Sequence, residues 1–220
     1  WQLCNQQLPD LTGRECYGGL DLASVSDFNA YVLIFPPSFE GEPTWIKPYF
    51  WIPQATIDKK NELGDYLQWE KDGFLRSCGI EVINQKEILR DIIEIHKQYD
   101  VKSFAFDRFL AYNGIIQGLQ EEGVEGFEFG QGFISMSSPT KELSIMALSG
   151  GIGHGGNPVL RWMMGNIEIK FDAADNIKID KGNSKEKVDG PVALVMSIGV
   201  WKAFDEGSDS VYEDRGLIVL

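Results

Sequence analysis

The rhythm of apolar residues changes along this chain, and the change restricts the folds open to it. Three short apolar runs come first, at residues 16–23, 31–35 and 47–52, parted by turn signals at 24–27 and by the Pro-rich tract PPSFEGEP. Runs of this length bounded by turn residues read as strands, and strands joined by short connections pair antiparallel. From residue 79 onward the pattern alternates. Short runs at 79–83, 101–106 and 126–129 are separated by stretches with helical spacing at 84–98 and 111–122. Asn84 followed by Glu87 is a capping-box start, and Ile88, Leu89, Ile92 and Ile93 mark one helical face. Strands separated by helices pair in parallel. The expectation is therefore an α/β fold: a mixed sheet with an antiparallel start, then parallel strands, flanked by helices.

The remaining segments add helices and an extra β-hairpin. Ser138-Pro139 forms a cap and first-turn pair that opens a helix running to about residue 149, and Pro158 starts a short helix through 164. Residues 166–171 and 176–179 form a hairpin turning at 173–175, and a last helix runs from Asp189 to about 204. Residues 53–76, charged and aromatic with a helix over 59–71, read as an insertion on the sheet. Residues 1–15 read as an incoming linker, 16–204 as the folded domain and 205–220 as an acidic tail with a short apolar end. No internal repeat is present.

Composition narrows the class. Hydrophobic content of 43% and aromatic content of 12% over 220 residues describe a folded globular chain with a sizeable core. No apolar stretch approaches the roughly 20 residues of a membrane span, and the N-terminus lacks a signal pattern. Cys4, Cys16 and Cys78 are odd in number and form no CxxC pair, so reduced thiols in an intracellular setting are expected. The chain begins at Trp1, as expected of a domain excised from a longer protein. Its net charge of −13 argues against a nucleic-acid partner. That argument is weak for a metal-dependent nuclease, which keeps carboxylates for its cations and needs only a local basic strip for phosphates.

Three aspartates fall at element boundaries. Asp21 in GGLDLAS and Asp107 in SFAFDRF each close an apolar strand run, and Asp189 in KVDGPVALVMSIG opens a helix. Taken singly, Asp21 is explained as a turn residue, and Asp107 and Asp189 as helix caps. Taken together they suggest more. Carboxylates gathered from remote parts of a chain repel one another and are tolerated when a cation lies between them. In open α/β sheets, sites form at the carboxyl ends of parallel strands, where Asp107 falls. Asp21 would project from the central strand and Asp189 from a helix packed across it, the metal-site layout of the ribonuclease H-like fold. Hard oxygen donors without a His/Cys cluster favour Mg²⁺ or Mn²⁺ over zinc. Two such ions, about 3.5–4 Å apart, would activate a water and stabilise the departing 3′ oxygen of a phosphodiester. Asp21, Asp107 and Asp189 are thus the expected catalytic and metal-binding residues.

Other residues rank second. Asp27 could join the outer shell of the metal or be an ordinary turn residue. His154, among the glycines of GGIGHGG, could reach solvent and assist a phosphate or water, or order the loop through its hydrogen bonds. The glycine cluster lacks the GK[ST] ending of a nucleotide-binding P-loop, and no such ending occurs in the chain, so ATP hydrolysis by this fragment alone is not expected. Lys178, Lys181, Lys185 and Lys187, set against Asp180 and Glu186, form a candidate DNA-facing strip or a solvated loop.

The segments GGLDLASVSDF, KPYFWIP, KDGFLRSCG, FAFDRF, GQGFISMSSPTKEL, HGGNPVLRWMMGN and KVDGPVALVMSIG, in this order, resemble the nuclease domain of tailed-bacteriophage terminase large subunits. The likeness runs from Cys16 to about Ala203, and WQLCNQQL resembles the linker leaving that family's ATPase domain. The resemblance implies a ribonuclease H-like fold and a metal-dependent endonuclease that cuts concatemeric double-stranded viral DNA during packaging. By motif position its metal-binding acids fall on Asp21, Asp107 and Asp189. It also implies as partners the portal protein, the small terminase subunit, duplex DNA and the ATPase domain of the full-length chain. The implied location is the host cytoplasm, at the procapsid portal, with no membrane partner. Two rival functions remain: another ribonuclease H-like nuclease of the transposase or junction-resolving type, or a non-catalytic assembly module that binds portal protein. In the second case the three aspartates would be scattered in space.

Overall fold

A computed structural model describes residues 1–23, 25–60, 65–110, 114–124 and 126–205. Three strands open the fold: β1 (Glu15–Asp21), β2 (Asn29–Phe35) and β3 (Thr44–Ile52). They are consecutive and antiparallel, as expected, with Asp21 opposite Ala30 and Phe35 opposite Trp45. Two short helices, α1 (Gln54–Lys60) and α2 (Tyr66–Lys71), and a two-residue strand, β4 (Arg76–Ser77), follow. Then come α3 (Gln85–Gln98), β5 (Asp100–Asp107), α4 (Gly114–Glu121) and β6 (Phe127–Phe129). β5 lies parallel to β1 and β6 parallel to β5, giving the order β4-β3-β2-β1-β5-β6. The second half supplies α5 (Phe133–Ser149), β7 (Ile152–Gly153), α6 (Pro158–Met164), the hairpin β8 (Ile169–Phe171) and β9 (Ile177–Ile179), and α7 (Asp189–Asp205).

The sheet separates two cores, and strand parity distributes residues between them. Along β2, Ala30, Val32 and Ile34 enter the core under α5, α6 and α7, while Tyr31, Leu33 and Phe35 enter the core shared with α3 and α4. Successive strand residues face opposite sides, so β1 and β5 can be read in the same way. Leu20 and its partner Phe106 belong to the α3 and α4 side, and Ala105 to the α7 side. Asp21 and Asp107, one residue beyond Leu20 and Phe106, therefore face α7. That helix is buried all round, the mark of a helix at the centre of a core rather than on its surface. It runs back along β1, from Asp189 near Asp21 to Phe204, whose ring lies 5.5 Å from that of Tyr17.

Several expectations need correction. Residues 79–83 are not a strand. Gly79 turns the chain with a φ of +74°, Glu87 accepts its N–H, and the pairing with β3 is made earlier, by β4. The helix expected over 59–71 is two helices, with 61–64 outside the described residues. The helix expected to start at Ser138-Pro139 begins at Phe133 and carries Pro139 inside it, where the ring packs near Gly199 of α7. Residues 1–15, expected as a linker, are packed onto the domain. Cys4 and Leu11 are buried, and the Trp1 indole stacks on His154 with centroids 4.3 Å apart. The Ile152-Gly153 part of the glycine cluster pairs with β3 as β7. The insertion after β3 closes the α7-side core: Tyr66 and Trp69 of α2 gather with Phe28 and Trp162 at centroid distances of 5.4–6.2 Å. The part of the expected tail beyond Asp205 lies outside the described residues.

Gly19 decides how closely α7 approaches the sheet. A Cβ at this position would stand 1.9 Å from the Ala193 carbonyl oxygen and 2.7 Å from the Ser197 nitrogen, both helix backbone. Neither neighbour can rotate away, so a methyl group must push the helix off the strand. Gly19→Ala is expected to cost about 3 kcal/mol, the upper end for overpacking. Urea unfolding of the variant beside wild type measures it, and a loss below about 1 kcal/mol would show that the helix can yield.

Candidate active site

Asp21, Asp107 and Asp189 come together where the strand ends of β1 and β5 meet the start of α7. Parity aims the first two at the helix, and the β1–β5 register sets them on neighbouring strands. Asp189 is the first residue of α7, where the partial positive charge of the helix end favours a carboxylate.

Asp21 is the hub of this group. Its side chain is only 5% exposed, and its Oδ2 accepts a 2.6 Å bond from the Lys181 ammonium. Its Oδ1 accepts a 3.1 Å bond from the Gln131 side-chain amide. Lys178 in turn donates to the Gln131 backbone oxygen at 3.1 Å, bracing that residue from the hairpin. Asp107 Oδ1 accepts from the Phe109 N–H at 3.1 Å. Burial raises the Asp107 carboxyl, the Phe109 bond opposes this, and the Asp21 charge adds to the rise. Asp189 is shifted further. Burial, then the Asp21 charge, push it up to about 7 against the pull of Lys181, with Asp27 adding to the rise. Its Oδ2 is buried without a hydrogen-bond partner.

Lys181 answers these charges. Burial works against its ammonium, yet Asp21, Asp189 and Asp107 together outweigh burial and hold it protonated beyond the usual range. In this arrangement no three His, Cys, Asp or Glu side chains among the described residues form a ready-made cage for a metal ion. The donor set nevertheless suits a hard cation. It offers carboxylate oxygens, one of them an orphan, and a position beside Asp21 already filled by positive charge.

The second-rank candidates divide. Asp27 stands close enough to raise Asp189, and it is paired with Lys187. His154 does not reach solvent. It is 1% exposed, its Nε2 meets the Trp1 carbonyl oxygen at 3.0 Å and its Nδ1 accepts from the Gly156 N–H at 3.2 Å, so it orders the N-terminal segment instead. The lysine strip is largely turned inward: Lys178 to Gln131, Lys181 to Asp21 and Lys187 to Asp27. Sequence reasoning missed Gln131 altogether. The one signal available was its place just after β6, the strand beside the one that ends at Asp107. Beside Asp189 lies a cavity of about 340 Å³, lined by Asp27, Lys181, Lys185, Glu186, Lys187 and Asp189 among others.

Comparison with known proteins points one way. A family model described as terminase large subunit, endonuclease domain matches residues 1–206. The terminase large subunit of Enterobacteria phage HK97 is 34% identical over 207 residues, an alignment covering 90% of this chain and 40% of that protein. The crystal structure of the HK97 bacteriophage large terminase superposes with a TM-score of 0.82 at 32% identity, over 91% of this chain and 42% of that one. The fold also matches the large terminase nuclease from thermophilic phage G20c, crystallised with bound magnesium, at a TM-score of 0.52 and 11% identity over 88% of this chain and 89% of that one. This chain therefore spans less than half the length of its HK97 relative.

The raised Asp189 carboxyl has a consequence for stability without divalent ions. As pH rises past about 4, the unfolded chain gives up this proton while the folded protein keeps it until about 7, so the native state is progressively disfavoured across that window. In chelator, Asp189→Asn is expected to gain stability over wild type as pH goes from 4 to 7, with the difference level above 7. Thermal unfolding at stepped pH measures this, and a difference that does not change with pH would contradict the raised Asp189 carboxyl.

Proposed function

The chain belongs to the terminase large subunit endonuclease-domain family, and from that premise we propose that it is a metal-dependent endonuclease that cuts double-stranded DNA by phosphodiester hydrolysis. The observation that carries this reading is the convergence of Asp21, Asp107 and Asp189 on one face of a ribonuclease H-like sheet, where burial and the Asp21 charge raise the other two carboxyls. Scattered aspartates would have suited an assembly module. Mg²⁺ or Mn²⁺, as a pair of ions, would be held by these three carboxylates and supply the Lewis acidity that activates water and neutralises charge on the departing 3′ oxygen. The magnesium bound to the G20c nuclease is in keeping with this.

The chain's own residues prepare the site. Gln131 fixes one oxygen of Asp21, and Lys178 fixes Gln131, so the central ligand is oriented before substrate arrives. The Phe109 N–H orients Asp107. Phe109 itself is 85% exposed beside Asp107, and Arg108 lies over its ring at 5.5 Å, an aromatic and cationic pair suited to meeting a nucleic-acid strand. The substrate is concatemeric viral DNA, and the ATPase half of the full-length subunit, the portal and the small terminase subunit are the partners. The work is done in the host cytoplasm at the procapsid portal. With no GK[ST] phosphate loop in the sequence, ATP hydrolysis belongs to the remainder of the full-length subunit.

Plasmid DNA incubated with the domain in Mn²⁺ is expected to be nicked and linearised. Asp21→Asn, Asp107→Asn and Asp189→Asn are each expected to slow this at least about 100-fold, the scale of losing one group that stabilises transition-state charge, while circular dichroism stays unchanged. Undiminished cutting by all three variants would remove the proposed site.

A further inference from the structure

Lys181 occupies a place that ordinary surface lysines do not. Its ammonium reaches a carboxylate that is almost wholly buried, at 2.6 Å, although its own side chain stays 40% exposed. The turn that carries it is braced. Asp180 accepts from the Gly182 N–H at 3.1 Å and the Asn183 amide at 2.7 Å, and its carbonyl takes the Ser184 hydroxyl at 2.7 Å. The Asp180 N–H is tied to the Glu168 carbonyl, just before β8, at 2.9 Å. At the far end of the segment, the Asn166 amide holds the Lys187 carbonyl at 3.1 Å and the Lys187 ammonium holds Asp27. Lys181 is thus presented to the carboxylates by a built turn between two fixed ends. Asp189 Oδ2, buried and unpartnered, lies in the same group, and Lys181 reaches it only through space.

We propose that Lys181 is the resident counter-cation of the metal-free site: it holds the aspartates in place until a divalent ion displaces its ammonium from Asp21, so that metal entry and the release of Lys181 are one event. The physical ground is competition for one oxygen. A hard divalent ion binding Asp21 needs the face that the ammonium now covers, and two cations cannot share it without strong repulsion. The divalent ion carries twice the charge and takes several oxygens, so it wins, but its apparent affinity is reduced by the fraction of molecules in which Lys181 is seated. Once released, the ammonium lies on the cavity that Lys185 and Lys187 line together with Asp27, Glu186 and Asp189. This inference rests on the reading of Asp21, Asp107 and Asp189 as cation ligands.

The test is titration of the domain with Mn²⁺ by isothermal calorimetry, paired with thermal unfolding in chelator, for wild type, Lys181→Met, Lys181→Gln and Lys181→Arg. Lys181→Met is expected to bind Mn²⁺ about tenfold tighter or more, to melt lower than wild type in chelator and to regain the difference when Mn²⁺ is added. Lys181→Gln, which keeps a donor to Asp21 but no charge, is expected to shift the same way by less, and Lys181→Arg to follow wild type. Equal or weaker Mn²⁺ binding by both neutral variants would overturn the inference and leave the reading of the aspartates intact. No Mn²⁺ binding by wild type or any variant would overturn both.

Discussion

The site exists because α7 lies directly on β1, and that contact depends on the absence of a side chain at Gly19. The helix backbone fills the space a Cβ would need, with the Ala193 carbonyl oxygen 1.9 Å from it. Only at this separation does the first residue of α7 stand beside the last residue of β1. The neighbouring Gly18 has a matching role on the other face, where an added Cβ would stand 2.6 Å from the Tyr31 hydroxyl and 2.8 Å from Phe104. The GGLD sequence therefore joins two close packings to one carboxylate. The strand is thinned on both faces so that its terminal aspartate can meet groups from elements far away in sequence.

That closeness creates an electrostatic cost which the rest of the site offsets. Burial first, and the Asp21 charge in addition, raise the carboxyls of Asp107 and Asp189. Gln131 and Lys181 answer at Asp21, one with an amide and the other with a charge. Buried ion pairs are seldom a large source of net stability, because desolvation consumes much of the attraction. Here the pairing is better understood as holding a strained arrangement ready for a stronger cation. The lysines nearest the site are drawn inward rather than spread over the surface: Lys181 to Asp21, Lys187 to Asp27 and Lys178 to the Gln131 backbone oxygen.

Much of the frame was legible because period and punctuation agree. Asn84 and Glu87 announced α3, and Pro158 announced α6, since each residue type has a specific job at a helix start. The alternation of strand and helix between residues 79 and 129 was enough to separate antiparallel from parallel pairing, even though the first strand of that run was misplaced. Pro139 misled because a proline read as a first-turn residue can also sit inside a helix when tertiary packing holds it there. β7 was hidden in a glycine cluster because two residues are too short to show a period. The aspartates were legible as element ends, while their neighbours were not. Gln131 and Lys181 act through long side chains whose reach across the fold leaves no mark in local pattern, and of the two readings left open for His154 the structure favours loop ordering over solvent contact, because the Trp1 indole that covers it comes from the other end of the chain.

The central claim is that Asp21, Asp107 and Asp189 together hold divalent cations at the end of the β1–β5 strand pair. The most direct measurement is an anomalous-difference map from crystals of the domain grown or soaked in Mn²⁺. The expected result is Mn²⁺ density in contact with oxygens of all three aspartates, with the Lys181 ammonium moved off Asp21. Mn²⁺ bound elsewhere on the chain, with the three carboxylates left untouched, would contradict it.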